Sequence, residues 1–321
     1  MALLKPGAPV LYTTRFPLMG GQAVVRFVDR RGRERARRLA RKVEAEAWRI
    51  EAKFSRFRPD SALSKINARA GIAHVAADSE FCALVQCALD LTKLTDGRFD
   101  PTIGVLRRAW DFRLGRVPSA GELEGLLSLV DATKVEVGGG MVFLKNPGME
   151  LDLGGVGKEY AVDCVADLLL AEGVVSGIVN FSGDVRTLGR RSDGRPWSIG
   201  VQDPRDPNRC RFTIRARERA GIATSGDYER FFVKDGVRYH HILDATTGLP
   251  ARGVTSATVI APTALHAGRL ATAAILLGPE QGLELLESET AVEGALITEG
   301  GQALCTSGMT RISGFPVTDP V

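Results

Sequence analysis

Between residues 196 and 261 the chain alternates turn-forming clusters with short runs of β-branched and aromatic residues. The runs lie at 198–201, 211–215, 231–233, 238–243 and 254–261. Parallel strands need a crossover of a dozen or more residues, so strands this closely spaced favour antiparallel hairpins over repeated βαβ units. The pattern predicts an antiparallel sheet.

Four other segments carry apolar residues at the spacing of one helix face. Leu39, Val43 and Ile50 are an example, being spaced by four and seven residues. Helices are predicted at about 33–54, 79–95, 156–171 and 264–277, with Thr263 as N-cap of the last. Strands are predicted at 22–28 and 177–182. Helices on an antiparallel sheet define the α+β class, and the lack of repeats or low-complexity linkers predicts one domain.

The charge balance does not demand a polyanionic partner, since 42 Lys and Arg face 38 Asp and Glu for a net charge of +4. Eight basic residues cluster within 30–42. Acidic residues dilute this cluster and no aromatic stacking residues accompany it. A solvated helix face is therefore the preferred interpretation, and nucleic acid is not expected as a partner.

Five cysteines are scattered without a C-x-x-C pair. This predicts buried, reduced thiols rather than a disulfide framework or zinc ribbon. The first ten residues lack the basic start, apolar run and cleavage site of a signal peptide. No stretch approaches the roughly 18 uncharged apolar residues of a spanning helix. We therefore expect a cytoplasmic protein without membrane insertion.

Two glycine-rich blocks are candidates for ligand contact. In block 96–104, Asp100 and nearby backbone N–H groups could face a ligand, although an ordinary turn explains the same residues. In block 151–160, three glycines and Lys158 stand where a helix begins. A tight strand–helix connection is one interpretation, and phosphate contact is the favoured one. The block is not a Walker-type phosphate loop, because Glu159 follows the lysine.

Two further blocks carry polar residues near the predicted hairpins. If 238–243 is a strand, His240 and His241 lie on opposite faces, with Asp244 at the strand end. A histidine beside a carboxylate can act as a general base. In helix 264–277, Thr272 is a candidate oxygen ligand for a hard cation, but no carboxylate precedes it by one turn.

Taken together and in this order, the blocks resemble the FAD:protein FMN transferase family, the ApbE flavin transferases. The resemblance covers about residues 14–315, which we take as one domain. It rests on Asn67 and on residues 16–20, 54–61, 99–102, 152–163, 180–184, 202–204, 223–228, 241–244 and 247–250. No block is specific alone, but so many in sequence leave little room for coincidence.

The resemblance implies an α+β fold of the T-fold kind that binds FAD and Mg²⁺. Such enzymes move FMN from FAD onto a Thr or Ser hydroxyl of an acceptor flavoprotein, and AMP leaves. It also implies that His241 is the base and that Asp244 orients it. The implied metal ligands are the Gly155 carbonyl, Thr272 and a carboxylate four residues before Thr272. The implied flavin contacts are Met19, Phe57, Arg98, Phe99, Asp100, Asp152, Lys158 and Ile242.

The chain departs from the family pattern at the metal site. Gly268 stands where the family has Asp, with Arg269 beside it, and Glu159 stands where the family has Gly. Two classes of function stay open: a working flavin transferase, and a FAD-binding relative that holds flavin or cleaves FAD to FMN and AMP. We expect Mg²⁺ to bind only together with FAD, and Gly268→Asp to strengthen its binding.

Overall fold

The computed structural model describes residues 10–216 and 218–309. Seven α-helices lie in this part of the chain. They are α1 (Arg33–Phe54), α2 (Ala62–Asn67), α3 (Ser79–Leu94), α4 (Ala120–Leu127), α5 (Gly157–Ala171), α6 (Ala264–Leu277) and α7 (Pro279–Ser288).

Fifteen strands accompany these helices in the described residues. They are β1 (Val10–Leu18), β2 (Gly21–Asp29), β3 (Val75–Ala76), β4 (Val135–Gly138), β5 (Met141–Leu144), β6 (Gly177–Phe181), β7 (Asp184–Thr187), β8 (Trp197–Gln202), β9 (Cys210–Ala216), β10 (Gly221–Gly226), β11 (Phe231–Lys234), β12 (Val237–His240), β13 (Val254–Ala261), β14 (Glu293–Thr298) and β15 (Ala303–Cys305).

Eight strands form the main sheet, in the order β1-β2-β6-β7-β10-β13-β14-β15. Every neighbouring pair in it is antiparallel. Smaller antiparallel sheets are formed by β3-β5-β4, β8-β9 and β11-β12. The predicted α+β class, with helices on an antiparallel sheet, is confirmed.

One face of the main sheet is covered by three helices. Helix α1 packs on β1 and on α5, while α6 packs on β10 and β13. The face of α1 that meets the core carries Leu39, Val43 and Ile50, all buried as the periodicity predicts. The N-cap prediction is also confirmed, because the Thr263 hydroxyl accepts a hydrogen bond from the His266 N–H at 3.1 Å.

The other face of the sheet is covered by the β8–β9 hairpin. Phe212 and Ile214 of the hairpin form a core with Val185, Ile222 and Ile260 of the main sheet. All eight residues of β13 are buried as a result. Strand β13 is recognisable in the sequence because 254–261 is rich in β-branched residues.

The predicted helices and strands agree with the structure to within one residue at each end, except over 238–243. Strand β12 ends at His240, so His241 lies beyond it and the predicted alternation over 238–243 is wrong. Helix α7 follows α6 directly and was not predicted. The five cysteines are free, as predicted, but four are half-buried and Cys210 is exposed, so the prediction of buried thiols is wrong.

The predicted domain, 14–315, ends outside the described residues, and its extent stays a prediction. Among the helices that are described, none has both the length and the apolar character needed to cross a membrane.

Candidate active site

The loop before α5 is shaped by a close approach of backbone to an aromatic ring. A Cβ at Gly155 would stand 2.7 Å from Cε2 of Phe99, so only glycine fits there. Asp152 opens the loop: its carboxylate accepts the Gly154 N–H at 2.9 Å and pairs with Arg56. The loop leads into the N-terminus of α5, whose unpaired N–H groups favour anions.

Lys158 is held at this helix start by a buried carboxylate. Its Nζ lies 2.7 Å from Oδ2 of Asp184, whose side chain is only 3% exposed. Burial raises the pKa of Asp184, against the attraction of the lysine. Burial disfavours the charged form of Lys158, but attraction to Asp184 and Glu159 outweighs it, and the Lys158 pKa is raised. The ammonium is therefore charged at neutral pH.

Glu159, the next residue, points into the protein. It is 7% exposed, and its Oε2 has no hydrogen-bond partner in the described part of the chain. Burial, and then the nearby charge of Asp184, raise its pKa well above the usual range. A Cβ at Gly268 on α6 would stand 2.4 Å from Cγ of Glu159. Gly268→Asp would therefore force the Glu159 side chain to move, and the effect of this change on Mg²⁺ binding stays a prediction.

Helices α5 and α6 are locked together by Asp163. Its carboxylate accepts the N–H groups of Ala264 and Leu265 at 2.9 and 2.8 Å, which caps the start of α6. Arg186 of β7 pairs with the same carboxylate at 2.5 Å. This contact fixes the relative position of the two helices that carry Glu159 and Gly268.

Thr272 lies one helical turn beyond Gly268 and faces the main sheet. Its hydroxyl is 3.1 Å from the hydroxyl of Ser225 on β10. Arg269, also on α6, is close enough to α3 to interact with Cys87 and Asp90.

His241 lies just past β12 with its backbone N–H bonded to the Arg230 carbonyl at 3.1 Å. Its ring is exposed at the surface, although protein surrounds it on most sides. This desolvation, and then the positive charge of Arg230, lower the His241 pKa to about 4. The positive charge of Lys158 also lowers the His241 pKa. The imidazole is neutral at pH 7.

Asp244 does not contact this ring. Its carboxylate accepts the N–H and the hydroxyl of Thr246 at 2.9 and 2.6 Å, and it lies 3.8 Å from Arg98. Across residues 10–216 and 218–309, no hydrogen bond joins Asp244 to His241. The predicted orienting contact is not formed here, and a catalytic role for Asp244 stays a prediction.

The three predicted flavin residues of block 96–104 have different surroundings in the structure. Arg98 faces the site region: it donates to the Leu276 carbonyl at 3.0 Å and lies beside Asp244. Phe99 packs on Gly155. Asp100 is turned inward, accepting from Thr102 at 2.7 and 2.6 Å and from the Ala132 N–H at 2.8 Å. Its carboxylate stabilises the loop, which agrees with the interpretation of block 96–104 as an ordinary turn.

The remaining predicted flavin residues lie in three places. Met19 stands in the β1–β2 turn at φ 49°, and its N–H donates to Glu51 at 2.8 Å. Phe57 is 71% exposed, with the Arg56 guanidinium 4.8 Å from its ring centre. Ile242 is half-buried and packs against the main core. The exposed ring of Phe57 can stack on a planar ligand.

Several residues of this region were not predicted. Arg56 and Asp184 stand inside recognised blocks, but nothing in those blocks marked them as site residues. Arg230 lies beside Gly20, 3.9 Å from where a Cβ would stand, and acts on both His241 and Arg56. No signal in the sequence joins Arg230 to the site, because its neighbours come from distant segments.

The described residues contain no group of three or more His, Cys, Asp and Glu side chains that could hold a metal ion. A cation here would therefore depend on hydroxyl and backbone oxygens as well as on carboxylates. The site has two other side-chain features: Lys158 is paired with the buried Asp184, and the neutral His241 lies near Arg230.

The same arrangement of helices and sheet occurs in proteins of known structure. The model of the ApbE family matches residues 19–297. The chain belongs to the ApbE family. Family membership confirms the resemblance seen in the sequence blocks.

Individual relatives extend this result. The chain is 34% identical to the FAD:protein FMN transferase of Treponema pallidum (strain Nichols), over 81% of this chain and 76% of that protein. It is 31% identical to a protein of that name from Vibrio cholerae, over 85% and 83%. The crystal structure of the ApbE protein of Thermotoga maritima superposes with a TM-score of 0.85 at 35% identity, covering 94% of this chain and 99% of that one.

Proposed function

We propose that this ApbE-family chain is a FAD:protein FMN transferase. The observation that carries the proposal is the Lys158–Asp184 pair at the N-terminus of α5, which holds a charged ammonium beside a glycine-shaped loop. A pyrophosphate is the ligand for which such a place is suited, because the N–H groups and the ammonium both stabilise its charge.

In the proposed reaction, the hydroxyl oxygen of an acceptor Thr or Ser attacks the phosphorus of the FMN half of FAD. The bond from that phosphorus to the oxygen bridging to AMP breaks, and AMP leaves with the bridging oxygen. The new bond is a phosphoester between acceptor and FMN. Lys158 lies where it can neutralise charge that develops as the bridge breaks.

His241 is the proposed acceptor of the hydroxyl proton. Its lowered pKa keeps the imidazole neutral, so the ring can accept a proton at pH 7 without first losing one. The positive charges of Arg230 and Lys158 that lower this pKa would be offset by a bound pyrophosphate. Binding of FAD therefore makes His241 a stronger base.

The flavin contacts are proposed to come from the predicted residues that reach the surface. Phe57 offers an exposed face for the isoalloxazine, and Arg98 lies at the same side of the molecule as Asp244. Met19, Phe99, Asp152 and Ile242 are proposed as the walls of this site. Asp100 is proposed to support the site by holding its loop rather than by touching the flavin.

Mg²⁺ is proposed as the metal, with the Gly155 carbonyl and the Thr272 hydroxyl among its ligands. In the described residues no backbone N–H donates to the Gly155 carbonyl, so this oxygen is free to bind a hard cation. A bound Mg²⁺ would supply charge neutralisation on the pyrophosphate oxygens.

The test is incubation of the purified chain with FAD, Mg²⁺ and a candidate acceptor protein. The expected result is equal amounts of AMP and of acceptor carrying one FMN, by chromatography and mass spectrometry. His241→Ala should lower the rate by about 10²–10⁴-fold, the usual share of a general base, with little change in FAD affinity.

Two other results would contradict the proposal and select an alternative. Release of AMP and free FMN, with no adduct on any acceptor, would make the chain an FAD pyrophosphatase. Tight FAD binding without AMP release would make it a flavin-holding relative.

A further inference from the structure

Two departures from the family pattern meet at one contact. This chain has Glu159 on α5 and Gly268 on α6, where the family pattern described above implies a glycine and an aspartate. The two positions are more than a hundred residues apart in the chain. In the structure they touch: the Cγ of Glu159 lies 2.4 Å from where a Cβ of residue 268 would stand.

The contact places the carboxylate of Glu159 where a side chain from α6 would begin. Cδ and Oε1 of Glu159 each lie 2.9 Å from the same Cβ position. With glycine at 159 and aspartate at 268, the same volume would hold a carboxylate rooted on α6. The Glu159 carboxylate thus occupies space that a side chain at position 268 would need.

The Glu159 carboxylate also has unmet bonding capacity. The residue is 7% exposed, and its Oε2 has no hydrogen-bond partner among the described residues. A buried carboxylate oxygen without a partner is costly, and a bound cation is one way in which proteins offset that cost. The nearest cation in sequence, Lys158, is paired with Asp184 instead.

We propose that Glu159 supplies, from α5, the carboxylate ligand of a divalent-cation site that Gly268 leaves vacant on α6. The proposal rests on the proposed function, because the cation would serve the FAD pyrophosphate. In this proposal a side chain of α5 takes the place of a ligand at position 268 of α6. The sequence alone did not indicate this exchange.

The oxygens around Glu159 suit a hard cation. Thr272 lies four residues after Gly268, so its hydroxyl stands on the same face of α6 as the Glu159 contact. Gly155 lies one turn before Glu159, and its carbonyl accepts no backbone hydrogen bond in the described part of the chain. One carboxylate with neutral oxygens and water is a usual set for Mg²⁺.

The experiment measures binding of Mn²⁺, by electron paramagnetic resonance, to the full chain with FAD present. Competition by Mg²⁺ shows that the two ions share a site. Glu159→Gln keeps the shape of the side chain and removes its charge. Loss of even an outer-shell partner costs about 10- to 100-fold in metal affinity, so loss of this ligand should weaken Mn²⁺ at least tenfold.

Glu229→Gln is the matched control, because Glu229 is exposed yet close enough to act on Lys158 and Asp184. It removes one negative charge near the site without touching Glu159, and Mn²⁺ affinity should change little. The double variant Glu159→Gly with Gly268→Asp returns the carboxylate to α6. It should bind Mn²⁺ comparably to the unaltered chain, whereas Glu159→Gly alone should not.

Three outcomes overturn the proposal: no Mn²⁺ binding by the unaltered chain, equal binding by Glu159→Gln, or equal weakening by Glu229→Gln. Thermal melting of each variant separates the loss of a metal ligand from misfolding. If Glu159→Gln does not fold, the comparison of the double variant with Glu159→Gly tests the proposal instead. Transfer activity is read separately. If Glu159→Gln loses Mn²⁺ binding but the unaltered chain transfers no FMN, the proposed function is wrong and the metal assignment stands.

Discussion

Lys158 and Asp184 form an ion pair at the start of α5, with 2.7 Å between the lysine Nζ and a carboxylate oxygen. The aspartate is almost completely buried, while the lysine is one-third exposed. The buried partner thus fixes the position of an ammonium that solvent and ligands can reach. A lysine held in this way loses less side-chain entropy when it binds an anion.

Replacing Lys158 should weaken FAD binding. Lys158→Ala removes one charge-assisted contact, which is worth about 1–3 kcal/mol, and flavin fluorescence quenching on titration would measure the change. Because this variant leaves Asp184 unpaired, Lys158→Ala with Asp184→Asn is the control for indirect damage. Lys93→Ala, at a side chain that is 75% exposed, should leave FAD affinity unchanged. An unchanged dissociation constant in Lys158→Ala would show that the lysine is only a solvated helix residue.

The His241 ring should titrate near pH 4 in the free protein. An unfolded chain takes up this proton near pH 6.5. The stability that the neutral ring contributes is therefore complete above pH 6.5 and is lost as pH falls toward 4. Proton NMR of the histidine Cε1–H signals, assigned with His241→Ala, measures the midpoint. A midpoint at or above 6.5 would contradict the assigned cause, and FAD should raise the observed midpoint.

Gly155→Ala should destabilise the fold, because the added Cβ would stand 2.7 Å from the Phe99 ring. Overpacking of this kind costs about 1–3 kcal/mol, measured as the free energy of unfolding in urea. Gly121→Ala on α4 is the matched control, since a Cβ there meets nothing within 4 Å. That change should be neutral or stabilise by about 0.5–1 kcal/mol. Equal effects at the two positions would argue against the ring contact.

Gly268→Ala and Glu159→Gly should not be additive. The first change pushes a methyl group against Glu159, and the second opens the space that the methyl needs. Contacting residues show coupling energies of about 0.5–3 kcal/mol in double-mutant cycles. Urea unfolding of the two single variants and the double variant measures the coupling. Additive free energies would mean that Glu159 moves aside without cost.

The sequence by itself determined most of the secondary structure around the site. Helix α1 and strand β13 lie within the predicted bounds, because their patterns are local: a 3.6-residue period for α1 and a run rich in β-branched residues for β13. The block 151–160 was also recognisable, since glycines followed by lysine at a helix start carry their own geometry. Helix α7 was missed, as it follows α6 after one glycine and α6 was treated as the last large helix.

The tertiary structure alone decided which polar side chains face one another. Asp100 and Asp244 are turned into their own loops, while Asp184 reaches across to Lys158. Only the packing of α5 on α6 shows that Glu159 lies where a side chain at position 268 would be. Periodicity assigns a residue to a face of its own element, but which distant residue meets that face depends on how the elements pack. The partners of the candidate site were therefore decided by tertiary packing, not by local pattern.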